Sequence, residues 1–260
     1  MKIKDIAKAI EAVAPLRCQE GYDNAGIQVG DDLATVTGVL LCTDVSMAVV
    51  DEAIERGCNL VVSHHPLIFK GLKKIAGRTQ VERIVAHAIK HDIAIYSAHT
   101  NMDNVPGGVS FKMAEKLGMT DVEVLDAHCD GDTPTGSGVV GAIKPMPAVD
   151  FLRLLKATFE VGAVRYSGDT TGTITRVALC GGAGGFLIDN AVAAGAQVFV
   201  TADMRYHDFL ENNDRLLLVD IGHYESEHFT KEIFSDIIMA LNPDFPVASA
   251  KNEKNQIQYI

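Results

Sequence analysis

No run of apolar residues in this sequence is long enough to span a bilayer, and its opening residues, Met1-Lys-Ile-Lys-Asp, do not have the form of a signal peptide. The expectation is a cytoplasmic protein. Positive charge is scarce: 23 Lys and Arg stand against 34 Asp and Glu, the net charge is −11, and the isoelectric point lies near 5.2. Nucleic acid and anionic lipid reward clustered cations, so broad electrostatic binding to either is excluded, although a local basic patch is not. No C-x-x-C pair occurs among Cys18, Cys42, Cys58, Cys129 and Cys180, which are odd in number and widely spaced. They read as buried free thiols in a reducing compartment rather than as metal ligands or catalytic groups. The nucleotide-binding loops are missing too. Cys180-Gly-Gly-Ala-Gly-Gly-Phe186 has neither the G-x-x-x-x-G-K-[ST] pattern nor the full dinucleotide spacing. It either offers amide N–H groups to an anion at a helix end or is a tight turn without ligand.

What is present is a globular composition, 47% hydrophobic and 22% charged over 260 residues, enough for one large domain or two small ones. Apolar spacing predicts a helix over Ile3 to Val13, ended by Pro15. A strand over Val36 to Leu41, a helix over Ser46 to Arg56 closed by Gly57, and a strand over Leu60 to Val62 follow. A loop from Pro66 to Gly77 precedes a helix over Gln80 to His91, and Ile93 to Ala98 is a further strand. Strands alternating with helices at this interval predict a largely parallel α/β sheet. Later come the turn-rich stretch Asp130 to Gly138, a strand over Val139 to Ile143 and a helix over Ala148 to Phe159, forming an ordered insert. The tail from Asn242 is polar and suggests no element.

The chain also repeats itself. A shift of 138 residues lays Thr37 to Ser63 over Thr175 to Thr201 with eight of 27 positions identical, among them Cys42/Cys180, Asp51/Asp189 and Gly57/Gly195. A shift of 124 then lays His99-x-x-x-Asp103 over His223-x-x-x-Glu227, each after an apolar strand. Sheet packing alone accounts for matching apolar residues but not for two His-x-x-x-acid endings. The expected fold is therefore two duplicated α/β/α lobes related by a pseudo-twofold, with the endings converging on a cleft. The lobes are expected at 1–125 and 169–260, with the insert at 126–168. Where the first copy has His64-His65 and a long loop, the second has Ala202-Asp203.

His64, His65, His99, Asp103, His223 and Glu227 are the candidate chemistry, each near a strand's C-terminal end, where α/β folds place their sites. On an extended segment His64 and His65 point to opposite sides, so the pair is expected to serve two ions, or one ion and a hydrogen bond. Imidazole and carboxylate donors without thiolate suit Zn²⁺, Mn²⁺, Fe²⁺ or Ni²⁺, and the set is too rich for one closed structural site. His223 and Glu227 are spaced i, i+4, which puts both on one face of a helix beginning near Tyr224. His87 and His91 share that spacing but read as surface or packing residues. Lys70, Lys73, Lys74 and Arg78, in the loop beyond the histidines, either steer a phosphate or form a solvated charged loop.

In Tyr22-Asp-Asn-Ala-Gly-Ile-Gln-Val-Gly30, Ser63-His-His-Pro-Leu-Ile-Phe69, Ala98-His-Thr-Asn-Met-Asp-Asn104, the Gly181 to Phe186 loop and Gly222-His-Tyr-Glu-Ser-Glu227, the chain resembles the GTP cyclohydrolase 1 type 2 homologue family, the NIF-three-like proteins. Tyr22 stands where that family often has Trp. The resemblance implies two α/β lobes, a dinuclear metal site in the cleft and a ring-shaped homohexamer. It implies one ion on His65 and Asp103, another on His64 and His223, and Glu227 bridging both. His99 is left as a supporting group or proton shuttle. The resulting expectation is a metal-dependent hydrolase activating water between two ions, with GTP or another phosphorylated small molecule as substrate. The rival is a non-enzymatic ring binding a protein partner or single-stranded nucleic acid.

Overall fold

A computed structural model describes residues 1–128 and 134–260. Cys129 and positions 130–133 of the expected turn lie outside the described residues. Helix α1 (Ile3–Val13) is followed by β1 (Gly26–Val29), β2 (Val39–Cys42), α2 (Met47–Glu55), β3 (Leu60–Ser63), α3 (Gln80–Lys90), β4 (Ala94–Ser97) and a short α4 (Thr100–Asp103). Next come α5 (Val109–Lys116), β5 (Thr120–His128), β6 (Thr135–Pro147), α6 (Ala148–Thr158), β7 (Arg165–Ser167) and β8 (Thr173–Leu179). The chain continues with α7 (Ile188–Ala193), β9 (Val198–Thr201), α8 (Tyr206–Asn212), β10 (Leu217–Asp220), α9 (His223–Glu227), α10 (Thr230–Leu241) and β11 (Val247–Ser249). Among the described residues, no helix is long and apolar enough to cross a membrane.

Two compact units result, Met1–Met102 with Thr230–Lys254, and Asp103–Phe229 with Asn255–Ile260. These limits differ from the expected lobes. The chain leaves the first unit inside α4, β5 to β7 belong to the second unit, and α10 and β11 return to the first.

In the first unit the strand order is β1-β4-β3-β2-β11, parallel except for β1, which runs antiparallel to β4. Strands β2, β3 and β4 are buried at every residue, as a sheet covered on both faces requires. Leu40, Cys42, Val61 and Ile95 pack with Val49, Val50 and Ala53 of α2 and Ile84, Val85 and Ala88 of α3. Residues of the opposite phase, among them Leu41, Leu60 and Tyr96, are equally buried. Helix α10 contacts β2 and α1, whose Ile3, Ile6 and Ile10 form one buried stripe at helical spacing. Ser46 caps α2, its Oγ accepting from the Val49 amide at 3.2 Å, and Gly57 closes it at φ +67°.

The second unit's sheet runs β5-β6-β8-β9-β10-β7. Only β8, β9 and β10 are mutually parallel, so the expectation of a largely parallel sheet holds for the first unit and not for this one. Helix α7 packs Ile188 and Ala191 with Ala178, Phe199 and Leu218, while α5 and α6 contact β6 and β8.

The duplication is visible inside each unit. The shift of 138 carries β3 onto β9 and α2 onto the turn Gly185–Leu187 and α7. In both sheets the third parallel strand has an antiparallel edge strand beside it, β1 on β4 and β7 on β10. Asn59 accepts from the Thr37 amide at 2.8 Å and donates to the Thr35 carbonyl at 2.9 Å. Gln197, at the equivalent position, accepts from the Thr175 amide at 2.7 Å and donates to the Thr173 carbonyl at 2.8 Å. The same side-chain clamp survives a change of residue.

The register corrects the second half of the repeat. Leu60 pairs with Ala94, and Val198 with Leu217, so the third strands correspond at a shift of 123, not 124. His99 is therefore equivalent to Gly222, and His223 is displaced by one residue to become the first residue of α9. The two His-x-x-x-acid endings share a spacing but not a position.

The tail is also structured. Val247 to Ser249 pair in parallel with β2, and Glu52, buried in α2, accepts from the Lys251 and Asn252 amides at 2.9 and 2.8 Å. Glu253, 2% exposed in its side chain, accepts from the Thr43 and Asp44 amides at 2.5 and 2.8 Å and pairs with Lys231 at 2.5 Å. Removing one partner of such a buried pair strands the other charge. We expect Glu253→Ala to destabilise the fold by about 3–5 kcal/mol, measured by denaturant unfolding, and Glu253→Gln to cost less.

Candidate metal centre

Strand β3 delivers His64 and His65 just beyond its last residue, Ser63. There the chain bends: Ser63 Oγ donates to the His65 carbonyl at 2.8 Å and shares a 2.8 Å hydrogen bond with Ser97 Oγ at the end of β4. The alternation of an extended segment stops at this bend. The two rings consequently do not diverge as expected. Their centroids are 5.0 Å apart, and each is 5.4 Å from the ring of His99. His64, His65 and His99 each offer one ligand nitrogen, all within 4.8 Å of one another, a group that could hold a metal ion.

Every one of these imidazoles has its Nδ1 engaged by an oxygen acceptor. His64 Nδ1 lies 3.0 Å from the Ala98 carbonyl, His65 Nδ1 2.9 Å from Asp44, and His99 Nδ1 2.8 Å from Asp23. Carbonyls and ionised carboxylates only accept, so Nδ1 carries the hydrogen and Nε2 is the ring's lone-pair nitrogen. Asp23 is fully buried in its side chain and also accepts from the Thr100 amide, at 3.0 Å, and from the Thr100 hydroxyl. Burial would raise its pKa, but the hydrogen bonds from His99, Thr100 and the Asn24 amide outweigh that and hold the carboxyl well below its usual range.

In the second unit, α9 begins at His223 and ends at Glu227, so the i, i+4 spacing does place both on one helix face. His223 Nε2 lies 3.0 Å from the Glu227 carboxylate, and His223 Nδ1 is 2.8 Å from Asp203. Asp103, the last residue of α4, brings a carboxylate oxygen within 4.8 Å of one from Glu227. Glu227 is buried. The glycine loop explains how it fits. Gly182 has φ +61°, and a Cβ there would sit 2.3 Å from Glu227 Oε1 and 3.2 Å from His223 Cε1. Its amide donates to Ser226 Oγ at 2.9 Å, and the Gly184 amide to Thr201 Oγ1 at 2.8 Å. Those two amides are therefore engaged within the protein, and the glycines let the loop pack closely against Glu227.

Sequence reasoning missed the carboxylates that hold the histidines. Asp44 and Asp203 each stand two residues beyond a strand end, a signal available once β2 and β9 are recognised, and Asp23 lies in the Tyr22 to Gly30 motif. Of the other histidines, His87 bonds Asp51 on α2 at 2.8 Å and packs against His91, while His228 stacks on Tyr224. Cys42, Cys58 and Cys180 are buried thiols whose pKa burial pushes up, whereas Cys18 is half-buried.

Strand-end imidazoles, each with an Nδ1 acceptor, and a buried His–carboxylate group mark an α/β protein with side-chain groups that could hold a metal ion. The chain belongs to the Duf34/NIF3 (NGG1p interacting factor 3) family, whose profile matches residues 1–256. It is 34% identical over the whole of both chains to a Clostridium perfringens protein, and 33% identical over 98% of each to a Lactococcus lactis protein, both called GTP cyclohydrolase 1 type 2 homolog. Among solved structures it is similar to Staphylococcus aureus hypothetical protein SA1388, with a TM-score of 0.91 and 29% identity over 100% of this chain and 99% of that one. It is also similar to reduced HcgD from Methanocaldococcus jannaschii, with a TM-score of 0.80 and 26% identity over 96% and 98%.

Two outcomes follow from this geometry. Gly195 also has a positive φ, +71°, but open space around it, so Gly195→Ala is expected to cost only the left-handed backbone penalty, about 1–2 kcal/mol. Gly182→Ala adds the clash with Glu227, and should unfold at lower denaturant and bind less divalent metal. For Asp23, a folded pKa below the ordinary 3.8 means a stabilisation fully present above about pH 4 and lost as pH falls through the folded value. The unfolding free-energy gap between wild type and Asp23→Asn, from denaturant titrations across pH, should be widest above pH 4 and close on acidification.

Proposed function

We propose that this chain is a divalent-metal-dependent hydrolase with a dinuclear centre. Its ligands are His64, His65, Asp103, His223 and Glu227, in the pairing the family resemblance implies, with Zn, Mn, Fe or Ni as the ions. The observation that supports this best is the acceptor behind each histidine: four rings have Nδ1 tied to oxygen, the arrangement that orients imidazole for a metal. The donor chemistry fits, being nitrogen and carboxylate oxygen without thiolate. Ions held there would supply Lewis acidity and a hydrolytic nucleophile usable near neutral pH.

The chain's own residues do the rest. His99, backed by the buried Asp23, moves a proton at Nε2. Asp44 and Asp203 orient the rings of His65 and His223, and Gly182 lets Glu227 approach the backbone. GTP or another phosphorylated small molecule is the candidate substrate, a reading supported by the names of the relatives. The homohexamer implied by the resemblance belongs to the same reading.

The test is to purify the protein without added metal, count the ions by elemental mass spectrometry, and assay a panel of nucleotides and phosphoesters. Two ions per chain are expected. His65→Ala and Glu227→Ala should lose metal and turnover together, while His99→Gln should keep its ions and lose about 10²- to 10⁴-fold in rate. Light scattering should give six times the chain mass of 27.9 kDa. A wild type free of divalent metal, or unchanged turnover in Glu227→Ala, sinks the proposal.

A further inference from the structure

The Tyr22 to Gly30 motif does more than hold His99. Asn24 donates its Nδ2 to the Ile68 carbonyl at 2.6 Å, and Gln28 accepts from the Ile68 amide at 3.0 Å. Ile68 is thus held on both sides, and Phe69 follows it. At the far end of the same loop, Glu82 accepts from the Ala76 and Arg78 amides at 2.9 and 3.0 Å. The loop is anchored at both ends and displays what lies between.

What it displays is an aromatic pair. Phe69 is 44% exposed and Tyr22 66% exposed, their ring centroids 6.3 Å apart, and the Phe69 ring is 6.2 Å from the ring of His99. Burying such rings is favourable and leaving them in water is not, so two of them fixed beside the histidine cluster suit a planar ligand. Beyond Phe69 the chain reads Lys70-Gly-Leu-Lys-Lys-Ile-Ala-Gly-Arg78, four cations and no acid, in a protein of net charge −11. All four basic residues are exposed. Stacking area and positive charge in one anchored loop match a ligand that joins a heteroaromatic ring to phosphate.

Resting on the metal-dependent reading above, we infer that Tyr22 and Phe69 form a stacking platform for the base of a nucleotide substrate, with Lys70, Lys73 and Lys74 taking its phosphates. The platform selects a base-bearing phosphate over phosphate alone.

Calorimetric titration of the metal-loaded full chain with GTP and with tripolyphosphate tests this. Wild type should bind GTP more tightly than tripolyphosphate. The Tyr22→Ala/Phe69→Ala double variant should lose at least about ten-fold for GTP while leaving tripolyphosphate unchanged, and Tyr22→Phe should behave as wild type. Neutralising Lys70, Lys73 and Lys74 to Gln should weaken both probes. Equal GTP affinity in wild type and the double alanine variant, or equal affinity of wild type for the two probes, overturns the inference. Metal content measured on the same samples separates the two ideas: a chain without metal fails the hydrolase reading, whereas base-dependent binding tests the platform directly.

Discussion

The structure of the site turns on packing three imidazoles side by side, each aimed by an oxygen acceptor at Nδ1. Two charged rings 5 Å apart would repel by about 3 kcal/mol at an effective dielectric of about 20, and three such rings compound the cost. Neutral rings avoid it, but a neutral imidazole has two tautomers, and only a fixed acceptor chooses between them. The Ala98 carbonyl, Asp44 and Asp23 make that choice for His64, His65 and His99. The result is three ring nitrogens within 4.8 Å of one another, a group that could hold a metal ion. In the second unit His223 is oriented by Asp203 at Nδ1 and faces Glu227 at Nε2.

Duplication supplied the strand ends, and the two copies then use them differently. His65 and Asp203 stand at equivalent positions, as do Asp44 and Gly182. In one unit this position, shortly beyond the strand, is the carboxylate behind a histidine; in the other it is the glycine that makes room for Glu227. The one-residue offset after the third strand extends this divergence. His99 precedes its helix and is gripped by Asp23, whereas His223 begins its helix and reaches Glu227 one turn on. Equal spacing in sequence therefore does not give equal surroundings.

Much of the fold was legible because parallel strands buried on both faces leave continuous apolar runs, as in Leu60 to Val62, and because Pro15, Ser46 and Gly57 punctuate the helices by local chemistry. The candidate histidines were legible because each ends a strand. Their carboxylate partners were not, since Asp23 lies 76 residues from His99, and no spacing rule spans that distance. The bend after Ser63 was hidden for a related reason: it depends on Ser97, brought alongside by the parallel pairing of β3 and β4. The mixed second sheet escaped detection because the alternation of helix and strand describes β8 to β10 well and says nothing of the hairpin β5–β6 added beside them.

The polar tail shows how composition misleads when hydrogen bonding is the function. Residues that look solvated in sequence are the partners of buried polar groups. Glu253 accepts from the Thr43 and Asp44 amides, the loop whose Asp44 carboxylate holds His65, and its charge is balanced by Lys231. In the second unit Asn255 donates to Glu225 at 3.0 Å, and Glu225 stands in α9 between His223 and Glu227, its carboxylate close against Gly222. An apolar tail could have covered a face but could not have met these donors and acceptors, and a buried amide or carboxylate left unmet costs about 1–3 kcal/mol or more. The polar groups Glu253 and Asn255 of the tail fix the loop that carries Asp44 and the helix that carries His223 and Glu227.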